Sequence, residues 1–265
     1  MVLSIQTTTA SREAGAAMNF TLVENQVDIW HMDIAGETDN LHQYRSLLSQ
    51  DEARRADRFH FEKHRTRFIK ARAGMRQVLA GYTAIAAEAL TFSYGTNGKP
   101  KLSEESKKSG ISFNLSHSDD IAILAVTRGL TVGIDVERIN PEFATEEIAS
   151  RFFSAAEVEC LQALPVAERV DGFFSCWTRK EAYIKALGDG LSLPLDSFEV
   201  AFGPGTPAAL LRVKTDPSEV TRWSMYDIAV APGYRAALVV QGREHKLHYR
   251  QWQEIPLVSK LERPA

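Results

Sequence analysis

Gly133-Ile134-Asp135-Val136-Glu137 sets two carboxylates two residues apart in a β-branched, apolar stretch. Successive side chains of a strand point to opposite faces, so Asp135 and Glu137 share one face while Ile134 and Val136 turn toward a core. Neighbouring carboxylates repel each other; water can solvate them, or a cation or proton-transfer role can demand them. A second stretch, Phe173 to Leu187 (FFSCWTRKEAYIKAL), has helical spacing and brings Trp177, Glu181 and Lys185 onto one face at i, i+4 and i+8. The plain reading is a solvated strand face and a Glu–Lys pair beside a core tryptophan. The chemical reading joins Glu181 to Asp135 and Glu137 around a hard divalent cation. Three carboxylates with open positions suit Mg²⁺, which keeps water and substrate phosphate oxygens in its shell. Lys185, one turn beyond Glu181, is then within reach of a phosphate on that metal.

A basic segment points to an anion as well. From Arg45 to Arg76 there are ten Lys or Arg against four Asp or Glu, a net of +6 on a chain of −3. Such asymmetry suits an anionic ligand or partner, with Arg55, Arg58 and Lys99 as donors of charge-assisted contacts to phosphate oxygens. The alternative is the solvated face of an amphipathic helix. Other motifs fail. Gly203-Pro204-Gly205-Thr206-Pro207-Ala208 fits GxGxxA only in letters, since it leads into a strand-like ALLRV where a dinucleotide site needs a helix. GxxxxGK[ST] and GxSxG are absent. His60 and His64 stand four apart without HExxH or an obvious third ligand, and read as solvated. Ser116, His117 and Asp119 on one loop do not make a hydrolase triad.

The elements that must position these groups follow from periodicity. Residues 1 to about 25 are polar and aperiodic and read as a loose leader, with Met18 a possible second start. Val27–Ile34 is a strand, Ser49-Gln50-Asp51-Glu52 a capping box opening a helix, and Phe59–Tyr82 helical. A strand and a turn at Asn97-Gly98 follow, with Pro100 stopping ladder pairing. Ser103–Ser109 is a polar loop, and strands run over 111–115, 121–127 and 131–139. A helix from about 145 to 164 ends at Pro165. A long helix from about 167 to 187 closes on Gly188. Strands at 198–202 and 209–214, a hairpin around 231–234 and a last strand at 248–252 complete an α+β pattern. No short-period repeat is visible. The expected organisation is a leader 1–25, an N-terminal lobe 26–130 and a C-terminal lobe with tail, 131–265.

Composition bounds the rest. The chain has 265 residues, 44% hydrophobic and 25% charged, which excludes a disordered or fibrous class. A net charge of −3 disfavours a nucleic-acid binder, and no run reaches membrane-span length. Cys160 and Cys176 are too few for a disulfide framework or a thiolate zinc site, and the start lacks a secretory pattern, so a cytoplasmic protein with reduced thiols is expected. Asn19-Phe20-Thr21 and Asn114-Leu115-Ser116 match the glycosylation pattern, without consequence in that compartment.

Gly98–Pro100 (GKP), Phe113–Ser118 (FNLSHS), Gly133–Glu137 (GIDVE) and Trp177–Lys185 (WTRKEAYIK), in this order, resemble the 4′-phosphopantetheinyl transferases of the surfactin-synthetase type. Gly190–Val200 (GLSLPLDSFEV) is similar too, and the resemblance spans about residues 45 to 240. It implies two similar pseudo-symmetric lobes, each a small antiparallel sheet packed with helices, in a monomer. It implies transfer of the phosphopantetheine arm of coenzyme A to a serine of an apo acyl or peptidyl carrier protein, releasing adenosine 3′,5′-bisphosphate. Coenzyme A is then the co-substrate and Mg²⁺ the cofactor, with Mn²⁺ able to take its place. The metal set is Asp135, Glu137 and Glu181. The catalytic pair is Glu181, taking the serine proton directly or through water, and Lys185. The coenzyme A contacts are Arg55, Gly98, Lys99, Pro100, Asn114, Ser116, His117, Asp135, Glu181 and Lys185. A rival reading of the basic segment is a non-catalytic protein holding an anionic partner.

Overall fold

The computed structural model describes residues 19–95, 98–104, 106, 110–188 and 193–253. Alternation builds β1 (Gln26–Asp33), with Val27 and Ile29 on one face and Trp30 and Met32 on the other. Two short helices follow, α1 (Leu41–Ser46) and α2 (Gln50–Asp57), then the long α3 (Glu62–Thr83). The ribbon of β2 (Phe92–Tyr94) and β3 (Pro100–Leu102) leads into β4 (Ile111–Ser118) and β5 (Ile121–Arg128). The same order then repeats: β6 (Val132–Arg138), α4 (Glu146–Phe152), α5 (Ala155–Ala163) and the long α6 (Val166–Leu187). After these come the ribbon β7 (Phe198–Val200) and β8 (Leu210–Val213), a turn of helix α7 (Glu219–Arg222), β9 (Trp223–Asp227) and β10 (Tyr234–Gln241). In both lobes the first strand pairs with the last, giving β1-β5-β4 and β6-β10-β9, all antiparallel. The expected α+β fold of two similar lobes is therefore present.

β11 (Lys246–Trp252) stands outside the repeat. It runs parallel to β1 and adds a fourth strand to the first sheet, from Gln26↔Lys246 to Met32↔Trp252. Trp252 enters the first lobe's core and donates from Nε1 to Gln77 Oε1 at 3.0 Å. The end of the expected C-terminal lobe with tail, 131–265, thus forms a strand of the first lobe's sheet over residues 246–252, with Leu247 and Tyr249 packed on the core between the lobes. The leader is also shorter than expected among the described residues. Leu22 is buried, and Phe20 packs on Trp30 and Tyr82 with ring centroids 4.9 and 5.0 Å apart. Residues 1–18, including Met18, lie outside the described residues, as does Asn97 of the expected turn.

α3 covers one face of the first sheet and α6 one face of the second. The remaining faces pack on each other through Val27, Ile29, Ile123, Ala125, Ile134, Val136 and Leu238. The single helix expected over 145–164 is two. Phe153 is extended, and Ser154 starts α5 afresh, accepting from the Glu157 N–H at 3.2 Å while the Glu157 carboxylate accepts the Ser154 N–H at 2.8 Å. Pro100 does not stop pairing but opens β3, opposite Tyr94, a position that tolerates proline.

The basic segment divides: Arg54, Arg55, Arg58 and Lys63 are exposed, whereas four of the ten basic residues turn inward. Arg67, Lys70, Arg72 and Arg76 are all buried. Arg72 and Arg76 converge on Glu52, with Arg76 Nε at 2.7 Å from Oε2 and Arg72 Nε at 2.8 Å from Oε1. Lys70 donates to the Ala35 carbonyl at 2.6 Å, and Arg67 reaches Asp119 at 2.5 Å and also Asp120. These four charges hold α2, α3 and the β4–β5 turn together, while the exposed remainder still suits an anionic ligand.

One close approach fixes α6 on its sheet. A Cβ at Gly133 would stand 2.2 Å from the Ala182 carbonyl oxygen and 2.3 Å from the Ala186 nitrogen. Both are backbone atoms, so nothing flexible can yield. Gly133→Ala is expected to lift α6 from β6 and cost about 3 kcal/mol, a fall in melting temperature of roughly 5–10 °C. Calorimetry checks this; an unchanged melting point would mean that the helix does not rest on that strand.

Candidate functional site

The contact of β6 with α6 brings the sequence-predicted acids together. On β6 the face opposite Ile134 and Val136 carries Gly133, Asp135 and Glu137, and α6 lies across it. Asp135 is 1% exposed, which excludes the solvated-face reading. Its Oδ1 accepts from Lys185 Nζ at 2.5 Å and from Ser116 Oγ at 3.0 Å, and Lys185 Nζ also reaches Ser116 Oγ at 2.9 Å. Burial opposes a charged Lys185, but Asp135 above all, with Glu181 and Glu137, outweighs it and raises the lysine pKa. Burial and the charge of Asp135 push Glu137 up to about 7 against the pull of its Ser118 hydrogen bond; the same two causes raise Glu181. Carboxylates crowded in a partly dry cleft repel one another, a cost that a bound cation would relieve.

The side chains as placed do not close on a metal: among the described residues no three His, Cys, Asp or Glu side chains are grouped as a ligand cage. One atom nonetheless favours a further ligand. Asp135 Oδ2 is buried and has no hydrogen-bond partner, a costly condition that a hard cation relieves. The donor set, three carboxylates and no sulfur or imidazole, fits Mg²⁺ or Mn²⁺.

The neighbouring motif residues divide by face. Asn114, Ser116 and Ser118 alternate on the side of β4 that meets β6, and each takes a backbone N–H from that strand. Asn114 Oδ1 accepts from Ile134 at 2.7 Å, Ser116 Oγ from Val136 at 3.4 Å and Ser118 Oγ from Arg138 at 3.0 Å. Asn114, expected at coenzyme A, is 4% exposed, and its side-chain oxygen is committed to this seam. Ser116 is likewise buried, bonded to Asp135 and Lys185. His117 points the other way, toward α3. It keeps an exposed edge, yet burial holds its pKa below the ordinary imidazole value, and Lys185, Arg55, Arg72 and Arg67 depress it further.

His117 thus lies between the carboxylates and a second cluster. There Arg55, Arg58, Arg72, Phe68 and Tyr94 line a concave pocket, with Asp51 and Glu52 at its wall. Arg55 stacks over Phe68 at 5.4 Å, and Arg72 donates to the Tyr94 hydroxyl at 2.8 Å. The sequence reading reached Arg55 and Arg58. It missed Arg72 and Tyr94, although Arg72 sits one helical turn after Phe68, and it missed Ser118, although that residue continues the alternation of Asn114 and Ser116.

The GKP element, expected to contact coenzyme A, also makes contacts within the chain. Gly98 takes a positive φ of 74°, and its N–H donates to the Gly95 carbonyl at 2.9 Å. Lys99 turns its side chain into the protein, donating to the Val132 carbonyl at 3.0 Å and to that of Lys185. It thereby takes up a carbonyl in the last turn of α6 and one at the start of β6. Burial, with Lys101 and Lys185 nearby, lowers its pKa to about 8. Pro100 is half-buried beside it in the ribbon. In WTRKEAYIK, Arg179 and Lys180 turn away from the acids. Arg179 holds Asp227 at 2.6 Å, and Lys180 pairs with Glu157 at 2.7 Å.

Comparison with known proteins identifies the family. Residues 131–239 match the 4′-phosphopantetheinyl transferase superfamily, and residues 35–129 match the 4′-phosphopantetheinyl transferase N-terminal family. The chain is 38% identical over 224 residues to the 4′-phosphopantetheinyl transferase HetI of Nostoc sp., covering 84% of this chain and 91% of that one. It is 32% identical over 170 residues to the 4′-phosphopantetheinyl transferase Sfp of Bacillus subtilis, covering 64% and 73%. To the human L-aminoadipate-semialdehyde dehydrogenase-phosphopantetheinyl transferase it is 25% identical over 224 residues, covering 79% and 71%. With both lobes matched and nearly the whole length of one relative spanned, the chain belongs to the 4′-phosphopantetheinyl transferase superfamily and is a transferase.

Proposed function

We propose that this enzyme transfers the 4′-phosphopantetheine arm of coenzyme A to a serine hydroxyl of an apo carrier protein, in a divalent-cation-dependent reaction. The observation that carries the site assignment is the buried Asp135, paired with Lys185 through one oxygen and unpartnered at the other, with Glu137 and Glu181 beside it. Asp135, Glu137 and Glu181 are the residues that would hold Mg²⁺ or Mn²⁺. When bound, the cation supplies Lewis-acid polarisation of the diphosphate.

The chain's own groups do the rest. The serine oxygen attacks the diphosphate phosphorus that bears the pantetheine arm. A new P–O bond forms, the bond to the bridging oxygen breaks, and adenosine 3′,5′-bisphosphate leaves. Glu181, whose burial makes it a better proton acceptor than an ordinary glutamate, takes the serine proton directly or through water. Lys185 places a fixed positive charge where the leaving phosphate gains negative charge. His117 and the Arg55 pocket receive the nucleotide phosphates, with the 3′-phosphate the natural occupant of the guanidinium cluster. We further read the enzyme as a cytoplasmic monomer; no described helix is long and apolar enough to cross a membrane.

Incubation with coenzyme A, Mg²⁺ and an apo carrier protein, followed by intact mass, tests the activity: the carrier gains one phosphopantetheine, and chelation abolishes the gain until Mg²⁺ is restored. Asp135→Asn keeps the side-chain shape and removes the charge. Transfer is expected to fall at least ~100-fold, a loss of about 2.7 kcal/mol of transition-state stabilisation, with the fold intact by circular dichroism. Transfer at the wild-type rate would refute the assignment.

The imidazole of His117 gives a pH test. Its depressed pKa means that the neutral form predominates at pH 7 in the free protein. A bound phosphate favours the charged form, so coenzyme A should raise the pKa in an NMR titration, and 3′-dephospho-coenzyme A should raise it less. Equal shifts with the two ligands would remove the 3′-phosphate from this neighbourhood.

A further inference from the structure

Ser118 closes β4 at the outer end of the seam, and the transfer reaction as described makes no use of it. Its Oγ donates to Glu137 Oε2 at 2.8 Å and accepts the Arg138 N–H at 3.0 Å. A hydroxyl has one proton to give, and here it is committed to one carboxylate oxygen. Two residues earlier, Ser116 donates to Asp135 Oδ1 at 3.0 Å. Two serines at i and i+2 on one lobe therefore hold two carboxylates at i and i+2 on the other, in matched register. A surface serine with a chance partner shows no such repetition. Glu137 rises from β6 in the second lobe, but the group that fixes its orientation comes from the first.

We propose that Ser118 is a positioning residue for the cation site: across the lobe seam it pins Glu137 Oε2 and leaves Oε1 for the metal. The proposal rests on the reading of Asp135, Glu137 and Glu181 as the cation ligands. Hydrogen bonds to ligating groups set their orientation, and losing one typically costs 10–100-fold in metal affinity. Ser118 differs from Asn114 and Ser116 in a way that makes it testable. Its backbone partner, Arg138, lies at an exposed position, so water can replace the lost acceptor and the alanine variant has little reason to unfold.

The experiment is a Mn²⁺ titration of the full chain at saturating coenzyme A, with free Mn²⁺ read by electron paramagnetic resonance. Wild type is compared with Ser118→Ala, Ser118→Thr and Ser118→Val. The alanine and valine variants are expected to bind Mn²⁺ about 10–100-fold more weakly, and threonine, which has the shape of valine but keeps the hydroxyl, to restore binding. Coenzyme A affinity and melting temperature should stay near the wild-type values, whereas a general loosening of the seam would lower both. If Ser118→Ala fails to fold, the threonine–valine pair decides. Wild-type affinity in the alanine or valine variant, or equal affinity in threonine and valine, overturns the role of Ser118. A wild-type protein that binds no Mn²⁺ overturns the cation reading itself, and the two failures are distinct.

Discussion

The edges of β4 and β6 face each other but share no backbone ladder, and the protein's organisation turns on how that seam is closed. An unpaired strand edge leaves N–H groups that must find acceptors or pay for burial. Here Asn114, Ser116 and Ser118 supply the acceptors for Ile134, Val136 and Arg138. Side chains thus do what backbone does elsewhere in a sheet, and the two serine hydroxyls among them also have a proton to donate. Ser116 donates its hydrogen bond to Asp135 and Ser118 to Glu137. The same two serines help to join the lobes and to hold the carboxylates.

Electrostatics sharpens this coupling. Three carboxylates face the Lys185 ammonium in a partly dry cleft, and among the described residues it is the cation bonded to Asp135 there. Such an arrangement costs folding free energy that a more apolar packing would not. It is retained by rigid support: Gly133 lets α6 touch β6 backbone to backbone, and Lys99 ties the last turn of that helix to the start of the strand. Preorganised charge of this kind lowers the reorganisation needed when phosphate charge develops.

The long-range chemistry was legible in the sequence, and the short-range economy of the basic residues was not. Strand alternation put Asp135 and Glu137 on one face, and helical spacing put Glu181 and Lys185 on another. The structure lays those faces together, though spacing alone gave no reason for them to meet; Gly133 is the residue that permits it. Of the ten basic residues from Arg45 to Arg76, the four buried ones misled, because charge counting cannot tell a cation in solution from one held inside the fold. Glu52 was readable as part of a capping box, but its partners Arg72 and Arg76 lie 20 and 24 residues away, beyond any local pattern. The break between α4 and α5 carried its own signal in Ser154 and Glu157, the same pattern that correctly opened α2. The repeat of strand, short helices, long helix, ribbon and two strands was invisible as letters, since different side chains fill corresponding places in the two lobes.

β11 gives the first sheet an order of assembly. Its partner β1 lies more than two hundred residues earlier in the chain. During synthesis every other strand and helix of the first lobe is available long before β11 emerges, so β1 waits with an open edge and the core under Trp252 stays incomplete. Ribosomal elongation delivers those intervening residues in some tens of seconds, at about 5–20 residues per second. The first lobe to be made is therefore the last to be finished. A nascent or truncated chain lacking β11 presents β1 as a bare pairing template, the feature through which partly made proteins aggregate and which chaperones shield.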